Sequence, residues 1–214
     1  MASTSMAAAF SACLLLAHPA AAAQDAPMVC APVAIPGHYG PFDYVTERDR
    51  LEIVERFHFT PRVEALVSGE SGFLGGDLTY TLNASPNHHR ALAAIMKWGA
   101  QTNSDKPPYL MFSIDCYFDR AVRFRPQDVI VRALYGMYLA QAKRMPEALR
   151  QLEAASHFAE DNGLSHHNIG LTYFELGLFP QALSEAHLAR KLGYEGQLLA
   201  DKLKAAKQWK DPAA

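Results

Sequence analysis

Residues 129–162, VIVRALYGMYLAQAKRMPEALRQLEAASHFAEDN, run directly into residues 163–196, GLSHHNIGLTYFELGLFPQALSEAHLARKLGYEG, and the second stretch echoes the first. Gly136 is answered by Gly170, Pro146-Glu147-Ala148-Leu149 by Pro180-Gln181-Ala182-Leu183, and Ala155 by Ala189, each 34 positions on. Large apolar residues fill the gaps, Leu139 and Tyr173 at one offset, Met145 and Phe179 at another. A fixed period with small residues at fixed offsets is what stacked helical hairpins require, because backbones meet closely only where side chains are small.

With residue 129 as position 1 of one unit and residue 163 as position 1 of the next, the pattern resembles the tetratricopeptide repeat, in its exported bacterial type. The family's small residue at position 8 is Gly136 and Gly170, its alanine at position 20 is Ala148 and Ala182, and its alanine at position 27 is Ala155 and Ala189. The family's position-4 tryptophan is replaced by Arg132 and His166, and its position-32 proline by Glu160 and Tyr194. Ala121, Phe124 and Pro126 extend the frame backward, and Pro86 stands where the unit before would end. That earlier unit carries an insertion at 102–108, with helices expected over His88–Gln101 and about Tyr109–Arg125. The resemblance covers 126–194 closely, 86–125 more loosely, and nothing before about residue 60. It implies an all-α fold, an α-solenoid of stacked helix-turn-helix hairpins with an extended N-terminal strap and a C-terminal capping helix.

The expected divisions are a signal peptide over 1–23, a Pro/Gly-rich strap over 24–45, N-terminal helices over 46–85, a degenerate repeat over 86–125, repeats over 126–160 and 161–194, and a cap with tail over 195–214. Within 46–85, Thr46 can cap a helix running through about Phe57, and Thr60-Pro61 starts a second that ends before Gly69. A loop over Glu70–Asp77 is expected to follow it. The capping helix is expected over Gln197–Trp209, with Leu198, Leu199, Leu203 and Trp209 apolar.

The chain has 214 residues, 50% of them hydrophobic, and a formal charge of −2, which excludes an electrostatic nucleic-acid binder. The first 23 residues contain no Lys, Arg, Asp or Glu; an apolar run over Met6–Ala17 is broken by His18-Pro19 and followed by Ala21-Ala22-Ala23. This reads as a cleaved secretory signal and a periplasmic destination, the alternative being an alanine-rich tail that is not exported. No integral membrane span is expected. In an oxidising compartment Cys30 and Cys116 form a disulfide between strap and repeat; two unrelated thiols are the alternative.

His88-His89 and His166-His167 do not make a metal site, because adjacent helical residues diverge by about 100°. Gly69-Glu70-Ser71-Gly72 lacks the second glycine of a nucleophile elbow. No catalytic pair, metal or cofactor site is expected.

In the tetratricopeptide family the concave wall is lined by positions 2, 5, 6, 9, 12 and 13 of each first helix. Carried over, the resemblance assigns the groove to Arg90, Lys97, Ile130, Leu134, Met137, Gln141, His167, Asn168, Leu171 and Phe174, with Leu164 beside them. It implies a trough, apolar and basic at one end, that binds a protein or peptide partner of the cell envelope, in an accessory of an assembly or secretion system. Only Asn168 matches the family's carboxylate clamp. The alternatives are a self-contained structural protein whose trough is filled by the strap, and an enzyme or metal-binding protein using the N-terminal region.

Overall fold

The computed structural model describes residue 1, residues 30–70 and residues 72–212. The expected signal peptide and the start of the expected strap fall outside the described residues, as do Ser71 and residues 213–214. Among the described residues there are helices and no strand. A 3-10 turn, Arg48–Leu51, leads into α1 (Glu52–His58), followed by α2 (Pro61–Glu64), α3 (Leu74–Ala84), α4 (His89–Thr102) and α5 (Ile114–Phe124). Then come α6 (Val129–Gln141), α7 (Met145–Ala159), α8 (Gly163–Glu175), α9 (Phe179–Lys191) and α10 (Leu198–Ala205). None of these helices is long and apolar enough to cross a membrane.

The small residues of the echo lie where helices meet. α6 lies along α7 and α8 along α9. A β-carbon on Gly136 would stand 2.8 Å from Leu152 Cγ and 3.3 Å from the Ala148 carbonyl oxygen; one on Gly170 would stand 2.3 Å from Leu199 Cδ2 and 3.4 Å from the Ala182 carbonyl oxygen. Ala148, Ala155, Ala182 and Ala189 are all buried. Helix starts repeat as well: Asp128 accepts the Ile130 and Val131 amides at the head of α6, and Asn162 accepts the Ser165 amide at the head of α8. Pro146 and Pro180 occupy the first turns of α7 and α9, where a missing N–H costs nothing.

The positions held by Arg132 and His166 carry polar bridges between the two helices of a pair. Arg132 donates to Gln151 Oε1 at 2.8 Å and lies over the Phe158 ring. His166 Nδ1 meets Glu185 Oε2 at 2.7 Å, and Ser156 donates to the other oxygen of Glu185 at 2.6 Å. Gln151 and Glu185 are themselves 34 positions apart, so both pairs use the same two offsets.

Five boundaries differ from expectation. Thr46 caps no helix: a 3-10 turn begins at Arg48 with Glu47 before it and no side-chain cap, and α1 itself starts only at Glu52. α2 ends at Glu64 because Leu66 takes a left-handed φ of 61° and the Val67 amide turns back to the Arg62 carbonyl, closing the helix early. α3 starts at Leu74, inside the expected loop. Its Gly75 lies against the 108–110 backbone, where a β-carbon would stand 2.2 Å from the Pro108 carbonyl oxygen. α5 starts at Ile114, not near Tyr109: Tyr109 is left-handed (φ 63°), and Ser113 accepts the Cys116 amide as the cap. α10 stops at Ala205, because Lys207 turns left-handed (φ 58°) and sends the Gln208 and Trp209 amides back to the Leu203 carbonyl.

Residues 30–45 carry no helix and dock on α3–α5. Cys30 is joined to Cys116. Arg120 donates to the Pro32 and Val33 carbonyls, and Arg123 to that of Ala31. Farther on, the Phe42 amide donates to the Ala84 carbonyl at 2.8 Å, Asp43 pairs with Arg125, and Tyr44 is buried against His88.

Ala182→Leu should destabilise the fold by roughly 1–3 kcal/mol through overpacking. Lys143, left-handed at φ 62° where the next pair has Gly177, should tolerate glycine with a gain of about 0.5–1 kcal/mol. Urea unfolding of both variants checks this; a harmless leucine at 182 would mean that the close approach is not there.

Candidate functional site

The expected groove residues lie on α4, α6 and α8, and α4, α6, α8 and α10 touch one another in succession. Ile130 on α6, Leu164 on α8 and Leu198 on α10 hold the same offset in three successive helices, and each is about half exposed, at 49%, 50% and 56%. Leu134 and Met137 are half-buried, and Leu134 packs on the core that α2–α5 form with Val131 of α6. Leu171 and Phe174 are half-buried on the core of α7–α10. Phe174 meets Phe179 edge-on at 5.4 Å, and Lys202 of α10 lies over its ring. Gln141 and Asn168 are exposed, as is Lys97. Gln141 also lines a cleft of about 330 Å³ with Tyr138, Met96 and Asp105 at the C-terminal ends of α4 and α6. Burial and the nearby Asp115 and Asp105 carboxylates push the Tyr138 phenol up to about 12.

His167 and Arg90 are not available to a partner in the way the family frame implies. His167 is buried, with its ring against Tyr194 at 4.7 Å. Arg90 makes a two-pronged pair with Glu64 and a second pair with Glu55, so its charge is already offset. The hydrogen bonds from His88 and Arg90 hold the Glu55 and Glu64 carboxyls below the usual carboxylate range.

The paired histidines are built into the fold. His88 caps α4: its Nδ1 accepts the Ala91 amide at 3.1 Å, so that nitrogen carries no proton, and Nε2 faces Glu55 Oε1 at 3.1 Å. His88 is fully buried, and burial pushes its imidazole below its ordinary value. His89 Nε2 meets Asp128 at 2.9 Å, and Asn87 donates to both Asp128 and Asp43. One buried network therefore ties the 43–44 stretch to the heads of α4 and α6.

A second cleft, absent from the sequence reading, opens on the N-terminal side. It measures about 350 Å³ and is lined by Tyr39, Ile53, Val54, Phe57, His58 and Tyr80. Tyr80 stacks on His58 at 3.8 Å, and His58 Nδ1 meets the buried Asp77 at 2.8 Å. The exposed Ile53 and Phe57 sit at an α-helical i, i+4 spacing, the one signal in the sequence that could have shown this face.

A scan against protein-family models finds no match for this chain, and a search of curated proteins finds none.

His88 makes stability pH-dependent. Its folded value is depressed, so its contribution is present above the ordinary imidazole value of about 6.5 and is lost as the pH falls below it. His167, also held low by burial, acts in the same direction. Unfolding midpoints measured from pH 8 to 5 should fall on the acid side. His88→Asn, which keeps a capping oxygen, should flatten that slope while lowering stability at pH 8; an unchanged slope would contradict the assignment.

Proposed function

We propose that the chain is an exported, tetratricopeptide-like scaffold that holds a protein or peptide segment along the face formed by its first helices. In this reading it is a periplasmic accessory of a cell-envelope assembly or secretion system. The observation that carries it is the row of Ile130, Leu164 and Leu198, three half-exposed aliphatic side chains at one offset of three helices that touch in succession. Isolated exposed aliphatics are ordinary, whereas a row repeated on successive helices supports reading this face as a docking surface. Helices packed side by side lie about 8–10 Å apart, so the row offers evenly spaced anchor points to an elongated segment. Met137, Leu171 and Phe174 lie deeper on the same helices as half-buried floor.

In-cell crosslinking from a photoreactive residue at Leu164 should capture a discrete envelope protein. The same residue at the exposed Glu153 of α7 should not. Serine at 130 and 198 together should abolish the Leu164 adduct without loss of helix content. Equal adducts from both faces would contradict the reading, and so would a mature N-terminus at Met1 or Ala2 instead of near Gln24.

His58 oriented by buried Asp77 at the wall of the N-terminal cleft favours a second reading, general-base chemistry in that region. It requires hydrolysis of a small ester or amide that His58→Gln abolishes. A parent protein without turnover removes it.

A further inference from the structure

We infer that the Cys30–Cys116 disulfide is a redox-operated latch that keeps residues 30–41 closed over a buried cation, Arg120. The side chain of Arg120 is fully buried, and among the described residues no carboxylate pairs with it. Nε and Nη2 donate to the Pro32 and Val33 carbonyls at 3.1 and 2.9 Å, while Nη1 has no hydrogen-bond partner. The rings of Phe112 and Tyr117 lie at 5.1 and 5.8 Å from the guanidinium carbon. Burial pushes the guanidinium below its ordinary value.

Closure therefore takes a guanidinium out of water and returns two charge-assisted bonds, two ring contacts and one orphaned NH2. Desolvating an ion opposes much of what such bonds return, so the closed position is held weakly by non-covalent contacts alone. Arg123 adds one bond, to the Ala31 carbonyl, from an exposed position. The covalent link one turn from Arg120 on α5 raises the effective concentration of residues 31–33 at their docking site. The other end of the segment is secured independently by Phe42, Asp43 and Tyr44. Opening is thus confined to the stretch before Phe42, where the further side-chain contacts include His38 against Tyr80, Tyr39 on the Arg50 carbonyl and Tyr39 edge-on to Phe42.

The step is thiol–disulfide exchange with a dithiol reductant. Cys30 is half-buried and Cys116 buried, so the incoming thiolate attacks Cys30 Sγ and Cys116 leaves as a thiolate that takes up a proton. The second thiol of the reductant then displaces Cys30, the two electrons having passed from dithiol to disulfide. The chain, now carrying two thiols, uncovers Arg120 between two aromatic faces. The apolar row does not enter this inference, which stands or falls apart from the proposed binding role, although Tyr39 on the opening segment is also a wall of the N-terminal cleft.

Hydrogen exchange read by mass spectrometry on the folded, mature protein tests the latch, before and after treatment with dithiothreitol. Reduction should speed exchange across 31–41 by at least about tenfold and leave α6–α9 unchanged. Phenylglyoxal should label Arg120 only in the reduced protein, and the Cys30→Ser variant should behave as the reduced form does. Unchanged exchange with Arg120 unlabelled overturns the inference. Exchange that rises throughout the chain overturns it too, since the bond would then be a staple of the whole fold.

Discussion

Neither Gly136 nor Gly170 has space for a side chain, and the rest of the C-terminal half follows from that. A β-carbon would stand 2.8 Å from Leu152 Cγ of α7 at Gly136 and 3.0 Å from Glu185 Cβ of α9 at Gly170, so glycine lets α6 settle on α7 and α8 on α9, while Leu199 of α10 closes on Gly170 from outside the pair. The same approach buries Ala148 and Ala182 completely and brings the polar bridges Arg132–Gln151 and His166–Glu185 into reach. Because both pairs are set by the same offsets, their outward positions recur as well. Ile130, Leu164 and Leu198, at one recurring offset, share a similar exposure.

The N-terminal half is organised differently. Its core of Leu78, Leu82, Leu92, Ile95, Tyr117 and Phe118 is apolar, but its elements are positioned by buried polar groups. Asn87 receives the Tyr44 amide and donates to Asp43 and Asp128, while His88 caps α4 and faces Glu55. Such a network rigidifies only when its members are satisfied, since a buried polar group left alone is costly. That requirement gives acid sensitivity to a region whose apolar contacts would carry none.

The helical pairs were legible because a 34-residue echo constrains small residues, and small residues mark close approach. The proline starts of α7 and α9 followed from local rules, and α4 was placed within a residue. The ends of α2 and α10 were not, because Leu66 and Lys207 adopt left-handed conformations that side-chain identity does not announce. The start of α5 depended on Tyr109 doing the same and on Ser113 acting as cap. The groove was legible as a set of positions, but not which of them face solvent. His167 is covered by Tyr194 and Arg90 is held by Glu64, partners that lie 27 positions after one and 26 before the other. The pairing of Cys30 with Cys116 could be argued from compartment and count; the arginines of α5 that receive the same segment could not, since their partners are backbone carbonyls nearly ninety residues away.

The central claim is that the first helices of successive pairs stand side by side and present one face. Spin labels at Ile130 and Leu198 of the oxidised protein measure this directly by pulsed electron–electron resonance. Two helix-to-helix steps of about 8–10 Å predict a narrow distance distribution centred near 20 Å. A broad distribution, or one centred beyond about 35 Å, would contradict the shared face and the account built on it.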